Sequence, residues 1–335
     1  MSERAALLAD FIAQVGWSTA RLKPITGDAS FRRYVRLVRG TQRAIVMDAP
    51  PPVEDVRPFV HVARHLRTLG LSAPEILAAD VPNGFLLLED LGDDTFTRML
   101  ARDADERELY DLAMDALIAL QSHPNAAAIE LPRQDVAMLV DQGAVLFTDW
   151  YLPEVTAEPT PPAVRAEFVA LWQRVLAPAL ALPPTLALRD FHIDNLLVLG
   201  ERVGPARCGL LDFQDAAIGS PAYDLVSLLE DARRDVSPDV AAAMHARHRH
   251  ALPALATSEF ELACATLGAV RHARIVGLWV RLWRRDGKPG YLRHLPRTWR
   301  LLENALAHPG LAELRRWFDA QAPARRRRVV AGERK

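Results

Sequence analysis

Three side chains with carboxylate or amide oxygens lie in one stretch of the sequence. Together they could support the transfer of a phosphoryl group. Residues 188–195, Leu-Arg-Asp-Phe-His-Ile-Asp-Asn, contain Asp190 and Asn195, and Asp212 follows after two short apolar runs. Phosphoryl transfer needs one carboxylate that accepts the proton of the attacking hydroxyl, and oxygen ligands that hold Mg²⁺ against the nucleotide phosphates. We therefore interpret Asp190 as a catalytic base, and Asn195 and Asp212 as metal ligands.

The residues between Asn195 and Asp212 predict how these two are brought together. Two apolar runs, 196–199 and 209–211, flank a turn, as is typical of a β-hairpin. The residues that enter and leave a hairpin lie at the same end of it. The spacing R-D-x-x-x-x-N followed by D-F also matches the catalytic loop and metal-binding Asp of kinases. Two alternatives are a surface hairpin with polar ends and a hydrolytic metal site at His192 and Asp194.

A second loop, nearer the N-terminus, has the composition of a phosphate-binding turn. Strands are predicted at 22–25 and 31–37, on either side of Thr-Gly-Asp-Ala-Ser. Small residues allow backbone N–H groups to approach phosphate oxygens, so Gly27, Asp28 and Ser30 are candidate nucleotide-binding residues. An ordinary hairpin turn is the alternative.

The next predicted strand, at 43–47, lacks a residue that kinases place there. In kinases this strand carries a Lys that pairs with the nucleotide phosphates. The corresponding residue is Met47, so Arg32 and Arg33 on the preceding strand are the candidates to supply the charge.

Composition limits the classes of protein that fit this chain. It has 335 residues, of which 50% are hydrophobic and 25% charged, and a net charge of −1. This length is enough for two lobes with separate cores, and the charge gives no reason to expect a nucleic-acid partner. Signal-peptide and transmembrane patterns are absent, and Cys208 and Cys264 lie in apolar segments as expected of buried thiols. We expect a cytoplasmic protein with no membrane partner.

The remainder of the chain is mainly helical. Helices are predicted at 103–123 with Asp103 as the N-cap, at 163–179 and at 261–283, and a proline-rich connector at 153–162. The sequence therefore indicates an α+β fold. Its expected parts are a small β-rich N-terminal lobe at 1–92, a larger helical C-terminal lobe at 93–322 and a basic tail at 323–335.

The motifs at 188–195 and 211–216 resemble those of the aminoglycoside phosphotransferase family. The resemblance implies a two-lobe, protein-kinase-like fold that binds ATP and Mg²⁺ between its lobes. It also implies a hinge at 89–92, where the backbone at Glu89 and Leu91 meets the adenine, and it implies that Asp224 supports the catalytic loop from behind. The family usually has His at the position of Leu188.

The C-terminal region predicts the kind of acceptor. Residues 271–300 contain nine Lys and Arg residues and one acid, Asp286. A polycationic aminoglycoside would need an acidic pocket, so a neutral or anionic acceptor fits better. Helical spacing places four of these arginines on one face: Arg271, Arg274, Arg281 and Arg285.

The segments at 149–151 and 285–292 are also similar to a narrower group, the bacterial N-acetylmuramate/N-acetylglucosamine kinases of cell-wall recycling. That similarity implies an amino sugar as the small-molecule partner and its anomeric C1 hydroxyl as the acceptor. The candidate substrate residues are Asp149, Trp150, Arg271, Arg285 and Lys288. Two alternatives are a related kinase acting on choline or another sugar, and a nucleotide-binding regulator without turnover.

Overall fold

The computed structural model describes residues 3–25 and 31–327, which form two compact units. Unit 1 comprises Met1–Asn125 and Ile193–Ala216, and unit 2 comprises Ala126–His192 and Ala217–Lys335. The chain passes between the units within the polar loop at 188–195, so Asp190 belongs to unit 2 whereas Asn195 and Asp212 belong to unit 1. The predicted lobe boundaries at 92 and 322 are not the boundaries of these compact units, and they stay predictions.

The strands form three antiparallel sheets. In chain order they are β1 (Arg21–Ile25), β2 (Arg33–Arg39), β3 (Gln42–Asp48), β4 (Ile76–Asp80), β5 (Phe85–Glu89), β6 (Thr185–Ala187), β7 (Leu196–Val198), β8 (Cys208–Leu210) and β9 (Ala217–Gly219). The strands predicted at 22–25, 31–37 and 43–47 are confirmed with their ends displaced by at most two residues.

The α-helices lie mostly after the first sheet. They are α1 (Glu3–Gln14), α2 (Arg57–Thr68), α3 (Phe96–Leu100), α4 (Glu106–Ser122), α5 (Leu152–Thr156), α6 (Pro162–Leu180), α7 (Ala222–Leu229), α8 (Pro238–Ala251), α9 (Ser258–Arg284), α10 (Leu295–Leu306) and α11 (Ala312–Gln321). None of the helices in the described ranges is both long enough and apolar enough to cross a membrane.

Two details of the helix prediction were wrong. The N-cap of α4 is Asp105, whose carboxylate accepts hydrogen bonds from the N–H groups of Arg107 and Glu108. Asp103 instead has a φ of 61°, outside the helical region. The proline-rich connector predicted at 153–162 overlaps α5 (Leu152–Thr156). Pro153 lies in the first turn of that helix, where its missing N–H costs nothing.

Unit 1 is built on a sheet of five strands in the order β1-β2-β3-β5-β4. One face of this sheet packs on α1 through a buried apolar cluster that consists of Phe11, Ile12, Leu37, Ala44, Val46, Phe85 and Leu87. Because side chains alternate along a strand, Tyr34 and Arg36 of β2 lie on the opposite face from Val35 and Leu37. The first sheet therefore presents an apolar face to α1, and its other face combines Tyr34 and Arg36 with buried apolar side chains such as Met47.

Unit 2 is organised around α9, its longest helix. Packed against α9 are α6, α7, α10 and two successive π-helical segments, Ala137–Ala144 and Phe147–Tyr151. A Cβ atom on Gly277 of α9 would come within 2.2 Å of the carbonyl carbon and oxygen of Leu146, so only glycine allows this backbone approach. The α-helical assignments of 163–179 and 261–283 are confirmed, and both cysteines are free.

Candidate active site

The loop that carries Asp190 begins directly after β6 in unit 2. The side chain of Asp224, at the start of α7, accepts hydrogen bonds from the N–H groups of Leu188 at 2.7 Å and Arg189 at 2.8 Å. Arg189 has a φ of 71°, a left-handed conformation that costs about 1–3 kcal/mol for a residue of this kind. The hydroxyl of Ser227 also donates to the carbonyl of Arg189 at 3.3 Å. Three hydrogen bonds therefore fix a strained backbone immediately before Asp190.

Asp224 is buried, and this burial has an electrostatic consequence. Desolvation raises the pKa of Asp224 to about 6. The hydrogen bonds that it accepts from the two backbone N–H groups lower this pKa. The negative charge of Asp190 raises the pKa further, and the positive charge of Arg271 lowers it. The carboxylate that holds the loop is therefore ionised at neutral pH and close to titration just below it.

His192 shows which charged groups surround the Asp190 loop within unit 2. Its side chain is buried, and desolvation lowers its pKa, so the imidazole is neutral at pH 7. The charges of Asp231, Arg233, Asp190 and Arg271 all act on it. The structure thus brings the predicted substrate residue Arg271 into the neighbourhood of the predicted base.

The hairpin of β7 and β8 positions Asn195 and Asp212 in unit 1, as predicted. Leu196 pairs with Leu210, and the N–H of Leu211 donates to the carbonyl of Asn195 at 2.9 Å. Asp212 follows at once with a φ of 57°, and its carboxylate accepts a hydrogen bond from the amide of Gln214 at 2.9 Å. An amide oxygen and a carboxylate at one end of a hairpin are the hard oxygen ligands that Mg²⁺ prefers. These residues therefore fit the predicted metal.

Phe213, the second residue of the D-F pair, anchors this turn. Its ring packs against Phe59 of α2 with the ring centroids 4.8 Å apart, and its side chain is buried. Asp212 is thereby positioned by a neighbour that has no chemical role of its own.

Arg32 and Arg33, the two candidates for the missing lysine, have different surroundings. Nε of Arg32 lies 3.0 Å from a carboxylate oxygen of Glu54, and the charge of Asp212 also acts on Arg32. Arg33 is exposed and lies on the other face of the strand. Met47 is completely buried opposite Tyr34. Arg32 is therefore the arginine that unit 1 places beside the metal-ligand candidate.

The nucleotide residues of the other segments are only partly accounted for. Gly27, Asp28 and Ser30 lie outside the described residues. Glu89 ends β5, where its carboxylate is paired with Arg67 at 3.6 Å and with Arg202. The N–H of Glu89 donates to the carbonyl of Glu75 at 2.8 Å, and Leu91 is half-buried. Adenine binding by the backbone at Glu89 and Leu91 stays a prediction.

The other four candidate substrate residues lie in surroundings that differ from those of Arg271. Asp149 is exposed and pairs with Arg165 at 2.9 Å, and Trp150 beside it is half-buried. Arg285 is also exposed and pairs with its neighbour Asp286 at 2.7 Å. Lys288 immediately precedes a 3-10 segment, Pro289–His294. These four residues stay candidates.

Asp231 is a buried residue that the sequence analysis missed. It lies just after α7, is only 2% exposed, and accepts the N–H of Arg233 on Oδ1 at 2.7 Å. No motif surrounds it. The only signal in the sequence was an acidic pair, Glu230-Asp231, directly after an apolar helix.

The hydrolytic alternative at His192 and Asp194 gains no geometric support. Asp194 belongs to unit 1, where its carboxylate accepts a hydrogen bond from the hydroxyl of Thr97. Within residues 3–25 and 31–327, no group of three or more His, Cys, Asp or Glu side chains is placed to hold a metal ion.

Comparison with known proteins identifies the family of this chain. Residues 21–260 match the model of the phosphotransferase enzyme family. An N-acetylmuramate/N-acetylglucosamine kinase of Caulobacter vibrioides is 39% identical, and the match covers 98% of this chain and 99% of that protein. A kinase of the same name from Pseudomonas aeruginosa is 40% identical, with 91% of this chain and 90% of that protein covered.

Two solved structures show the fold. Choline kinase LicA from Streptococcus pneumoniae superimposes with a TM-score of 0.61 at 13% identity, covering 93% of this chain and all of that one. LicA in complex with AMP also gives a TM-score of 0.61, at 12% identity, covering 91% of this chain and all of that one. The predicted protein-kinase-like α+β fold is therefore confirmed, and the chain belongs to the phosphotransferase enzyme family.

Proposed function

We propose that this protein is a kinase that transfers the γ-phosphoryl group of ATP to the anomeric C1 hydroxyl of N-acetylmuramate and N-acetylglucosamine. The observation that carries the proposal is the near full-length match to a relative of that name, in a chain that keeps Asp190, Asn195 and Asp212. Such a reaction would serve the recycling of cell-wall amino sugars, in the cytoplasm, where ATP is available.

Asp190 has the central chemical role in this proposal. Its carboxylate accepts the proton of the sugar hydroxyl as that oxygen forms a bond to the γ-phosphorus, and the bond from the γ-phosphorus to ADP breaks. The hydrogen bonds of Leu188 and Arg189 to Asp224 keep the backbone before Asp190 in place. Proton transfer requires a base within hydrogen-bond distance of the hydroxyl, so a fixed loop is an advantage.

Asn195, Asp212 and Arg32 have the nucleotide-binding roles. Asn195 and Asp212 would hold Mg²⁺, and the bound metal would neutralise negative charge on the nucleotide phosphates. Arg32 takes the place of the kinase lysine, and its pairing with Glu54 corresponds to the lysine–glutamate ion pair of protein kinases. Gly27, Asp28 and Ser30 are proposed to cover the phosphates.

The proposal is tested by measuring ADP release from the purified protein with ATP, Mg²⁺ and a panel of acceptors. The panel contains N-acetylmuramate, N-acetylglucosamine, choline and an aminoglycoside. We expect turnover with the two amino sugars, and a ³¹P signal of a sugar 1-phosphate in the products. Turnover with choline or the aminoglycoside and not with the amino sugars would contradict the proposed substrate. Absence of ADP release with every acceptor would favour a non-catalytic regulator.

A further inference from the structure

Unit 2 contains a buried guanidinium that forms no ion pair with a carboxylate among the described residues. Arg271, near the middle of α9, is only 5% exposed. Its Nη1 atom is buried without a hydrogen-bond partner, and within the described part of the chain its side chain forms no ion pair. Removing a cation from water without a partner costs several kcal/mol, so a protein keeps such a group only where it has a use.

A carboxylate with an open acceptor position shares the surroundings of Arg271. Asp231 is 2% exposed, and its Oδ2 atom is buried without a partner among the described residues. Both Arg271 and Asp231 act electrostatically on His192 and on His272. Yet these two opposite charges do not pair with each other. The protein thus leaves one cationic donor and one anionic acceptor unsatisfied in the same region of unit 2.

This region has further features of a sugar-binding site. Asp190 is also among the charges that act on His192. The guanidinium of Arg233 lies 5.6 Å from the ring centroid of Trp279, which in turn stacks on Tyr291 at 5.2 Å. Charged groups and aromatic rings together suit a ligand that has both hydroxyl groups and flat apolar faces.

We propose that Arg271 and Asp231 bind the acceptor and that Arg271 selects acceptors with a carboxylate. The inference rests on the proposed function and deepens it. Arg271 would donate hydrogen bonds from its planar fork to the lactyl carboxylate of N-acetylmuramate. Asp231 accepts hydrogen bonds from hydroxyl groups, which N-acetylmuramate and N-acetylglucosamine both offer. The two residues therefore have separable effects on the two sugars.

Other arginines on the same helix lack these properties. Arg285, which helical spacing placed on the same face, is exposed and paired with Asp286. Arg284 pairs with Glu154 at 2.6 Å. Arg281 also has a buried Nε atom without a hydrogen-bond partner among the described residues, but its side chain is only half-buried. Its pKa is lowered by burial and by the neighbouring positive charges of Arg285 and Arg274. Of these arginines, Arg271 is the buried one, and its charge acts on His192 and Asp224 together with the charge of Asp190.

The test measures kcat/KM for N-acetylmuramate and N-acetylglucosamine in wild type, Arg271→Met, Arg271→Lys and Asp231→Asn. Arg271→Met should lower kcat/KM for N-acetylmuramate by about tenfold to a hundredfold more than for N-acetylglucosamine. Arg271→Lys should restore part of that difference, because it keeps the charge and loses the fork. Asp231→Asn should lower kcat/KM for both sugars by similar factors. Arg284→Ala is the matched control, since it removes an ion-paired arginine from the same helix.

Thermal unfolding separates binding from a structural role. Arg271→Met replaces an unpaired buried charge by an apolar side chain of similar length, so its Tm should equal or exceed that of wild type. Equal losses of kcat/KM for both sugars, or a lower Tm with unchanged selectivity, would overturn the inference. Failure of the proposed function would look different, because wild-type protein would then turn over neither sugar.

Discussion

Arg271 in unit 2 is held differently from the paired arginines beside the first sheet of unit 1. Beside the first sheet of unit 1, arginines are paired with carboxylates. The pairs are Arg4–Asp48 at 2.5 Å, Arg32–Glu54 at 3.0 Å and Arg36–Asp90 at 2.7 Å. In unit 2, Arg271 is buried with no such partner among the described residues. The guanidinium of a paired arginine already has a carboxylate partner. A buried, unpaired guanidinium can gain such a partner from a ligand.

This contrast corresponds to two kinds of recognition. A nucleotide is the same molecule for every kinase of this fold, so preformed ion pairs can orient the groups that meet it. The acceptor differs from one kinase to another. We propose that the side chains that bind it gain their hydrogen-bond partners only when the acceptor is present. Variants on the two sides should therefore affect different kinetic constants, and the predictions that follow test whether they do.

The largest effect should come from Asp190→Asn, which removes the base and keeps the shape of its side chain. We expect kcat for both sugars to fall by about 10²–10⁴-fold, while the Kd for ATP stays unchanged. Steady-state kinetics and calorimetry measure the two quantities. Asp194→Asn, in the same loop, is the control and should retain its kcat. A near-normal kcat in Asp190→Asn would contradict the role of Asp190 as the base. Weaker binding of ATP by this variant would contradict the prediction that acceptor-side and nucleotide-side variants affect different constants.

Asp212→Ala should abolish Mg²⁺-dependent binding of ATP, because its carboxylate is proposed to hold the metal that meets the phosphates. Calorimetry with ATP, in the presence and absence of Mg²⁺, is the measurement. Asp215→Asn removes an exposed carboxylate from the same turn and should leave ATP binding intact. If Asp212→Ala bound ATP with unaltered affinity and Mg²⁺ dependence, Asp212 would not be a metal ligand.

Arg32→Gln should raise the KM for ATP by about tenfold, the loss expected for one charge-assisted hydrogen bond. The KM for the sugar should change little, because Arg32 lies in unit 1 with Glu54 and Asp212. Arg33→Gln provides the sharpest comparison, since Arg33 is exposed on the other face of the strand. Equal effects of the two substitutions on the KM for ATP would show that pairing with Glu54 does not select Arg32.

The last prediction concerns Asp224 and the pH dependence of stability, and it involves no kinetic constant. Burial raises its pKa from the ordinary 3.8 to about 6, so the folded state binds this proton more tightly than the unfolded state. The resulting stabilisation is complete below pH about 4 and is lost as the pH rises through about 6. Asp224→Asn lacks this titration. Its free energy of unfolding should therefore rise relative to wild type by up to roughly 3 kcal/mol across that range.

Urea unfolding of both proteins at several pH values measures the difference. The hydrogen bond that Asn cannot make to the loop adds a constant to the difference, and it does not change the dependence on pH. A difference that stays constant from about pH 4 to pH 7 would show that Asp224 titrates alike in the folded and unfolded states.

The local pattern was sufficient to predict the hairpin that carries Asn195 and Asp212. Two apolar runs separated by a turn have one natural pairing, and the structure has that pairing, with Leu196 opposite Leu210. The long helix α9 was predicted equally well, because its apolar residues recur at helical spacing. Such elements depend on neighbours in sequence, which the sequence displays directly.

Burial of charged residues could not be predicted in the same way. Helical spacing places Arg271 and Arg285 on one face of α9 but does not show that one is buried and the other exposed. That difference depends on segments distant in sequence, such as the loop around His192. Asp231 was missed for the same reason, since a single acidic residue after a helix has no distinctive pattern. The π-helical segments at 137–151 also have no sequence rule that distinguishes them from α-helix.

Gly277 makes the position of Arg271 sensitive to a substitution elsewhere on α9. The backbone of α9 touches the π-helical region at Leu146 here, and each residue along the helix adds about 1.5 Å. Arg271 therefore lies roughly 9 Å from a contact that one methyl group would disrupt. A small error in that spacing would displace the guanidinium without changing any residue that is proposed to bind the sugar. Natural variants with altered acceptor preference can thus arise at a position remote from the acceptor, through the register of one helix against another.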